Sequence, residues 1–111
     1  MKNFKDVLKK LKISQEDFDK ANSGLSDDEV AYRQLKLIAK ALNGDWVADF
    51  SDGNQRKYEP YFYYSGSAFV FNCYDSWLQF TDVGSRLCYK DAATAELAGK
   101  NFIDIYNKFL K

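Results

Sequence analysis

The sequence contains no histidine. Histidine is the commonest general base in enzymes and a frequent metal ligand, so this absence excludes Ser-His and Cys-His nucleophile arrangements. The two cysteines, Cys73 and Cys88, cannot build a Cys₄ or Cys₂His₂ zinc site by themselves. Glycine-containing strings that mark phosphate loops, dinucleotide-binding turns or nucleophile elbows are also missing. These absences favour a protein without catalytic residues, without a bound metal and without a cofactor.

Long apolar runs are absent as well. No run approaches the roughly 20 residues that a membrane span requires. Residues 1–12 alternate charged and apolar side chains, which is unlike a secretory signal. The sequence therefore predicts a cytosolic protein that makes no membrane contact. In a reducing compartment Cys73 and Cys88 are expected to be free thiols, and a disulfide between them is the alternative.

The sequence carries no net charge, because 16 basic side chains balance 16 acidic ones. A protein that binds double-stranded DNA usually presents a basic stripe, since phosphate neutralisation dominates its affinity. The charge balance disfavours that class without excluding a local basic patch. One proline, six glycines and an aromatic content of 17% instead predict an ordered chain with a bulky aromatic core.

The first part of the sequence has the apolar spacing and capping residues of three helices. A short amphipathic helix is predicted over residues 4–12, and a second begins after Ser14. The longest runs from Ser26, the first residue of a capping box, to Asn43. Gly44 follows the last periodic residue, at the position where a left-handed backbone conformation commonly ends a helix.

After these helices the pattern changes to short strands separated by turns. Pro60 lies inside the second strand, so this strand is expected to be at a sheet edge or to carry a β-bulge. A last helix is predicted to begin near Asp91. Gly99 lies inside that helix, where we expect it to allow close packing against the sheet. The predicted strands cover residues 46–50, 57–65, 68–74, 77–81 and 86–90.

These elements predict one α+β domain over residues 1–111. Its N-terminal part, residues 1–44, is helical. Residues 45–90 form a four- to five-stranded antiparallel meander sheet, and a C-terminal helix over residues 91–110 packs on that sheet.

Aromatic residues concentrate in the predicted strands. In strand 57–65 both faces are aromatic, and only one of them can meet the helices. The face left over holds either Tyr61 and Tyr63 or Tyr58 and Tyr64. One interpretation is an exposed aromatic sheet face, with Tyr61, Tyr63, Tyr74 and Trp77 as its candidate binding residues. Such a face stacks on unpaired bases or sugars, or forms a protein interface. The other interpretation, which we slightly favour, is a sheet covered on both sides, in which the tyrosines are core residues with satisfied hydroxyls.

Arg86 is the remaining candidate binding residue, and it has two interpretations. In the functional one it holds a phosphate or carboxylate bidentately in a pocket that also contains Asp49 or Asp82. In the structural one, which we favour, it pairs with one of these aspartates and stabilises the turn at Gly84 and Ser85. Aspartates at strand ends are commonly turn residues, because they hydrogen-bond to their own backbone.

Four segments, in order, carry a resemblance to a known family: residues 41–50 (ALNGDWVADF), 54–62 (NQRKYEPYF), 83–90 (VGSRLCYK) and 95–106 (AELAGKNFIDIY). Together they resemble a family of small uncharacterised proteins found in Bacteroidetes genomes and in their phages and prophages. Ala48 departs from the family's tryptophan-strand motif, which has proline there, and the turn at 65–67 is shorter. The resemblance implies an origin in a bacterial or mobile-element cytosol, and no activity, because the family has none assigned.

The sequence therefore leaves three functions open. The first is a non-enzymatic interaction module that uses the aromatic sheet face. Its partner is expected to be a protein or a second copy, with single-stranded nucleic acid as an alternative. The second is a small ligand-binding domain or enzyme with a pocket near Arg86 and Asp49 or Asp82. The third is a structural accessory or virion component of a phage.

Overall fold

A computed structural model describes residues 1–81 and 84–111 of the chain. Within these ranges the fold is α+β, as predicted, with five α-helices, a short 3₁₀ helix and one antiparallel sheet. None of the described helices is long and apolar enough to cross a membrane. The elements, in chain order, are α1 (Phe4–Leu11), α2 (Gln15–Ala21), α3 (Asp27–Asn43), β1 (Lys57–Tyr64), β2 (Phe69–Trp77), the 3₁₀ helix (Ser85–Leu87), α4 (Ala92–Asn101) and α5 (Ile103–Leu110).

The N-terminal helices begin and end where the sequence predicts, because their caps are local. The hydroxyl of Ser14 accepts a hydrogen bond from the N–H of Asp17 at the start of α2 (3.0 Å). At the start of α3 the Ser26 N–H donates to the Glu29 carboxylate (3.3 Å). Gly44 ends α3 with a φ of +61°, a backbone conformation that favours glycine.

The hydrophobic core lies where α3 meets α1, the 3₁₀ helix and the C-terminal helices. Helix α3 packs on α1 and α5, while α4 packs across both strands. Each element buries one apolar face, and this removes the bulk of the large side chains from water. The fully or almost fully buried members of the core are Val7, Leu35, Ile38, Ala39, Ala41, Tyr89, Ala95, Ala98, Phe102 and Tyr106.

The predicted four- to five-stranded meander is wrong, because the described residues form a two-stranded sheet of β1 and β2. Strand β2 continues through Asp75 and Ser76, which were expected to form a turn, and ends at Trp77. Asp75 pairs with Glu59 and Ser76 with Tyr58. Aspartate and serine favour turns through local hydrogen bonds. That tendency is overridden here because the ladder with β1 continues past them.

Residues 46–50 are not a strand, and a glutamine side chain explains why their backbone needs no strand partner. The Gln55 amide donates to the carbonyl of Val47 (2.9 Å) and accepts from the N–H of Asp49 (2.6 Å). One side chain thus supplies the donor and the acceptor that a neighbouring strand would supply. The segment is held as an irregular loop.

Residues 86–90 are not a full strand either, and an asparagine has the equivalent role. The chain first turns through the 3₁₀ helix and then makes one isolated bridge, between Tyr89 and Tyr58. On the other side of Tyr89 the buried Asn43 side chain donates to the Cys88 carbonyl (2.9 Å) and accepts from the Lys90 N–H (3.0 Å). This segment is therefore joined to the end of α3 by a side-chain amide.

Strand β1 has one of the two features that its proline predicts, because it lies at the edge of a two-stranded sheet. The β-bulge lies in its partner strand: the pair of Tyr61 and Cys73 is followed by the pair of Phe62 and Phe71, so Asn72 is an extra residue of β2. The prediction of an edge strand or a bulge is therefore confirmed.

The missing N–H of Pro60 does not interrupt the ladder. Tyr58 exchanges two backbone hydrogen bonds with Tyr89 (3.0 and 2.7 Å), so its backbone points away from β2. Backbone direction alternates along a strand, so Pro60 also points away from β2 and pairs with Tyr74 without hydrogen bonds. A proline is tolerated at such a position because no donor is needed there.

The single C-terminal helix predicted over residues 91–110 is divided into α4 and α5. The break is at Phe102, whose φ of −117° and ψ of 26° are not helical. Apolar spacing continues through Phe102 and does not show the break. After it, α5 directs Tyr106 toward Phe62, with ring centroids 4.8 Å apart.

The expected close packing at Gly99 is confirmed, because α4 lies directly on the sheet there. A Cβ at this position would come within 2.7 Å of the Phe71 ring atom Cε1 and 2.9 Å of the Pro60 Cβ. Those distances are shorter than van der Waals contact, so an alanine would not fit without movement of the strands.

Candidate functional site

The hairpin of β1 and β2 has one covered face. Pro60 pairs with Tyr74, and Phe62 pairs with Phe71, so these four side chains lie on the same side of the sheet. Phe62 packs on Tyr106 of α5. This side therefore faces the C-terminal helices, as the sequence analysis expects of one sheet face.

The opposite face is open toward the turn of the hairpin. Tyr61 pairs with Cys73, and Tyr63 with Val70, which places these four residues together. Tyr61 and Tyr63 are 55% and 53% exposed, and Cys73 is an exposed free thiol. We call these four residues the open tyrosine face. Its tyrosines are not core residues with buried hydroxyls.

The other two aromatic candidates are not part of this open face. Tyr74 is 46% exposed, but it lies on the covered side, where its ring centroid is 5.6 Å from that of Tyr58. Trp77 shares the side of Tyr61 but lies at the far end of the strand, half-buried. Its indole N–H donates to the Glu59 carboxylate (3.3 Å). The structure therefore brings Tyr61 and Tyr63 together and separates Tyr74 and Trp77 from them.

A buried lysine anchors the loops beside Trp77. Lys57 is fully buried, and its ammonium donates to the carbonyls of Leu78 (2.6 Å) and Asp52 (3.2 Å). The same nitrogen lies 4.8 Å from the centroid of the Phe50 ring, in a cation–π contact. Sequence reasoning missed this residue. Its position at the start of a strand gives no signal of burial, because the carbonyls that bind it come from distant segments.

The open tyrosine face has no basic side chain of its own. The charged residues on β1 and β2 are the buried Lys57 and the carboxylates of Glu59 and Asp75. Lys100, which lies over the Phe71 ring on the covered side, is in an ion pair with Glu96 (2.6 Å). A single-stranded nucleic acid requires cations along the path of its phosphates, and the strands do not supply them.

The outer edge of β2 is the second exposed feature of the hairpin. Tyr74 faces Pro60 in a pair without hydrogen bonds, so its N–H and C=O point outward. At one end the edge is capped by Asn107, whose amide accepts from the Phe69 N–H (2.7 Å) and donates to the Phe69 carbonyl (2.9 Å). At the other end the Ser76 N–H donates to the Asp75 carboxylate (2.8 Å). Between them, no other described segment pairs with this edge.

Arg86 lies in a different part of the molecule. It is exposed on the 3₁₀ helix and lines a pocket of about 460 Å³ beside the C-terminal half of α3. Asp49 is not among the lining residues; its pKa is lowered by hydrogen bonds from the Ser51 hydroxyl and N–H. Asp82 lies outside the described residues. The predicted combination of Arg86 with Asp49 in one pocket is therefore not seen.

Three buried ionisable groups have raised pKa values. Burial, and then the hydrogen bond to Glu59, raise the pKa of the Cys88 thiol, so this thiol stays protonated and a poor nucleophile. Burial also raises the pKa values of Tyr89 and Tyr106, whose hydroxyl oxygens are 3.0 Å apart. Neither cysteine is in a disulfide, as expected.

The described residues contain no cluster of side chains that would bind a metal ion. Over residues 1–81 and 84–111, no three cysteine, aspartate or glutamate side chains are grouped closely enough to hold an ion. The carboxylates of the loop after α3 are used locally, as in the hydrogen bonds from Ser51 to Asp49 and from the Asn54 N–H to Asp52 (2.9 Å). These are turn contacts of the kind that aspartate commonly makes.

The chain matches no protein-family model, no curated protein and no solved structure. The resemblance to small proteins of Bacteroidetes and their phages therefore stays a prediction from the sequence. The function has to be argued from the hairpin and the pocket themselves.

Proposed function

We propose that this protein is a non-enzymatic interaction module that pairs with a second copy of itself through its β-hairpin. The observation that carries the proposal is that the open tyrosine face and the unpaired edge of β2 lie on the same two strands. Tyrosine is enriched in protein interfaces because it buries a large area and keeps one polar group.

The edge of β2 favours an extended partner. The outward N–H and C=O of Tyr74 are a donor and an acceptor in the arrangement that a further antiparallel strand satisfies. Four consecutive residues of β2, from Asn72 to Asp75, are exposed, so both sides of this edge are accessible. Two copies of β2 running antiparallel would form a continuous four-stranded sheet around a twofold axis.

The charges favour a second copy over a nucleic acid. The chain has no net charge, so two copies do not repel each other at long range. The strands themselves carry two carboxylates and no accessible cation, and the exposed cations Arg56 and Lys111 lie at the two ends of the hairpin, at Ser76 and Ser67, away from the open tyrosine face. A cytosolic location is part of the same proposal, supported by the free thiols of Cys73 and Cys88. A bacterial or prophage origin is proposed only from the sequence resemblance.

The test is the molar mass of the protein in solution, measured by size-exclusion chromatography with light scattering over a range of concentrations. The wild-type chain is expected to shift from monomer to dimer as its concentration rises. Tyr74→Lys should weaken the dimer at least about tenfold, because two like charges then meet across the twofold edge. Leu97→Lys, at an exposed site on α4, is the matched control and should leave the dimer intact.

Cross-linking locates the interface. A short bis-maleimide is expected to link two chains through the exposed Cys73, and Cys73→Ser should abolish the link while the buried Cys88 stays unreactive. A monomeric mass at every concentration would overturn the proposal. Quenching of tyrosine fluorescence by a single-stranded oligonucleotide would also overturn it if the double variant Tyr61→Ser/Tyr63→Ser loses this quenching, because the open tyrosine face would then bind nucleic acid.

A further inference from the structure

The pocket beside α3 has a composition that the proposed interaction function does not use. It lies between the C-terminal half of α3, the segment that follows Gly44 and the 3₁₀ helix. Its volume of about 460 Å³ is in the range of small-molecule sites. The side chains that bear on its chemistry are Lys36, Lys40, Trp46, Val47, Ser85 and Arg86.

Three cations line this pocket, and no carboxylate of residues 1–81 and 84–111 does. Lys36 and Lys40 are four residues apart on α3, so their like charges destabilise the helix slightly. The positions three and four residues away from either lysine hold Tyr32, Arg33, Asn43 and other residues, none of them acidic. The helix dipole accounts for a cation in the last turn of α3, such as Lys40. It does not account for Arg86 on a separate element, and the Lys36 ammonium has a partner of its own, the Tyr32 ring, whose centroid lies 5.5 Å away one turn back along α3.

An apolar wall stands beside these cations. Val47 is 75% exposed and the Trp46 side chain is half-buried, and both line the pocket. A solvated basic surface has no need of a large aromatic ring and an exposed aliphatic side chain next to three positive charges. The flat apolar part of a ligand would cover Trp46 and Val47, and an anionic part of the same ligand would neutralise the cations.

The walls of the pocket are held in place by side-chain hydrogen bonds. Gln55 fixes the backbone at Val47 (2.9 Å), and Asn43 fixes Cys88 next to the 3₁₀ helix (2.9 Å). These are the same amides that replace the predicted strands. The Asn43 amide attaches residues 88–90 to the end of α3, the Gln55 amide fixes the loop that follows α3, and the pocket lies between these two segments. Its shape is therefore set before a ligand arrives.

We propose that this pocket binds a small organic phosphate that carries an aromatic ring, the chemistry of a mononucleotide. Arg86 and Lys40 bind the phosphate. The indole of Trp46 stacks on the aromatic ring, as tryptophan does with bases. Ser85 also lines the pocket, and its hydroxyl is an additional hydrogen-bond donor for the ligand.

The test uses Trp46 as its own reporter. The chain has two tryptophans, so Trp77→Phe leaves Trp46 as the single one. Adenosine monophosphate is expected to quench the fluorescence of Trp46 in a saturable titration, and added salt should weaken the binding. Adenosine should bind at least about tenfold more weakly, and inorganic phosphate should compete with the nucleotide without quenching. If Trp77→Phe does not fold, the Trp46 indole N–H resonance of the wild-type protein gives the same titration.

Two variants and one control decide whether the pocket is the site. Lys40→Gln and Arg86→Gln should each weaken adenosine monophosphate at least about tenfold, because each removes one phosphate contact. Lys9→Gln, an exposed lysine on α1, should have no effect. Any of three results would overturn the proposal: no binding of the nucleotide, equal binding of adenosine, or unchanged binding in both variants. Binding of a single-stranded oligonucleotide at least about a hundredfold tighter than the mononucleotide would also overturn it, in favour of a nucleic-acid site.

Discussion

Replacing Tyr89 or Tyr106 by phenylalanine removes one hydroxyl from a pair buried in the core. The two oxygens are 3.0 Å apart, and within the described part of the chain each has the other as its hydrogen-bond partner. Tyr89 is fully buried and Tyr106 almost fully, so a hydroxyl left alone there cannot turn to water. Each single substitution should therefore destabilise the fold by about 1–3 kcal/mol, the cost of an unsatisfied buried polar group.

The double substitution should be much less harmful than the sum of the two. It replaces both partners with apolar groups of the same shape, which is close to neutral for stability. The free energy of unfolding of the four proteins, from urea titrations followed by tryptophan fluorescence, gives the coupling energy of the pair. We expect a coupling energy of about 1–3 kcal/mol. Additive effects of the two substitutions would refute the reasoning, because they would show that each hydroxyl has another partner or access to water.

Two further predictions concern stability. Gly99→Ala should lower the free energy of unfolding by about 1–2 kcal/mol, because overpacking against Phe71 and Pro60 exceeds the gain of about 1 kcal/mol in helix propensity. Adding Phe71→Leu should recover much of this loss. A Gly99→Ala protein as stable as the wild type would contradict the close packing of α4 on the sheet. Raising the pH should also destabilise the fold. The raised pKa values of Cys88, Tyr89 and Tyr106 mean that the folded chain holds protons that the unfolded chain releases. Urea titrations should show a loss of stability beginning near pH 9 and steepening above pH 10, the ordinary pKa values of the thiol and the phenols. In the double variant Tyr89→Phe/Tyr106→Phe, the loss of stability above pH 10 should be smaller. A wild-type free energy of unfolding that rises above pH 10 would contradict the raised pKa values of the two tyrosines.

The candidate site was visible in the sequence only in part. Alternation along residues 57–65 showed that one aromatic face had to be left over, and Tyr61 and Tyr63 are exposed together. The register decided the rest, because the bulge at Asn72 determines the side of the sheet on which each β2 residue lies. Alternation without a bulge places Tyr74 on the open face with Val70, and the bulge places it on the covered one.

The pocket shows a similar division. Arg86 was a candidate from the sequence, but its neighbours were expected to be aspartates. Lys36, Lys40 and Trp46 were missed. Two lysines four residues apart without an acidic neighbour on the helix were a signal that sequence reasoning could have used. That Trp46 faces them depends on the course of the loop after α3, which no local pattern encodes.

The sequence alone determined the features that depend on residues close together in the chain. Ser14 and Ser26 begin helices, Gly44 ends one, and the absence of histidine removes a large part of enzyme chemistry. The tertiary structure decided the number of strands, the break at Phe102 and the face that stays open. The physical reason for the number of strands is that Gln55 and Asn43 supply backbone hydrogen bonds from their side chains. A segment whose backbone is satisfied in this way looks like a strand in sequence, and only its partner in space shows that it is not one.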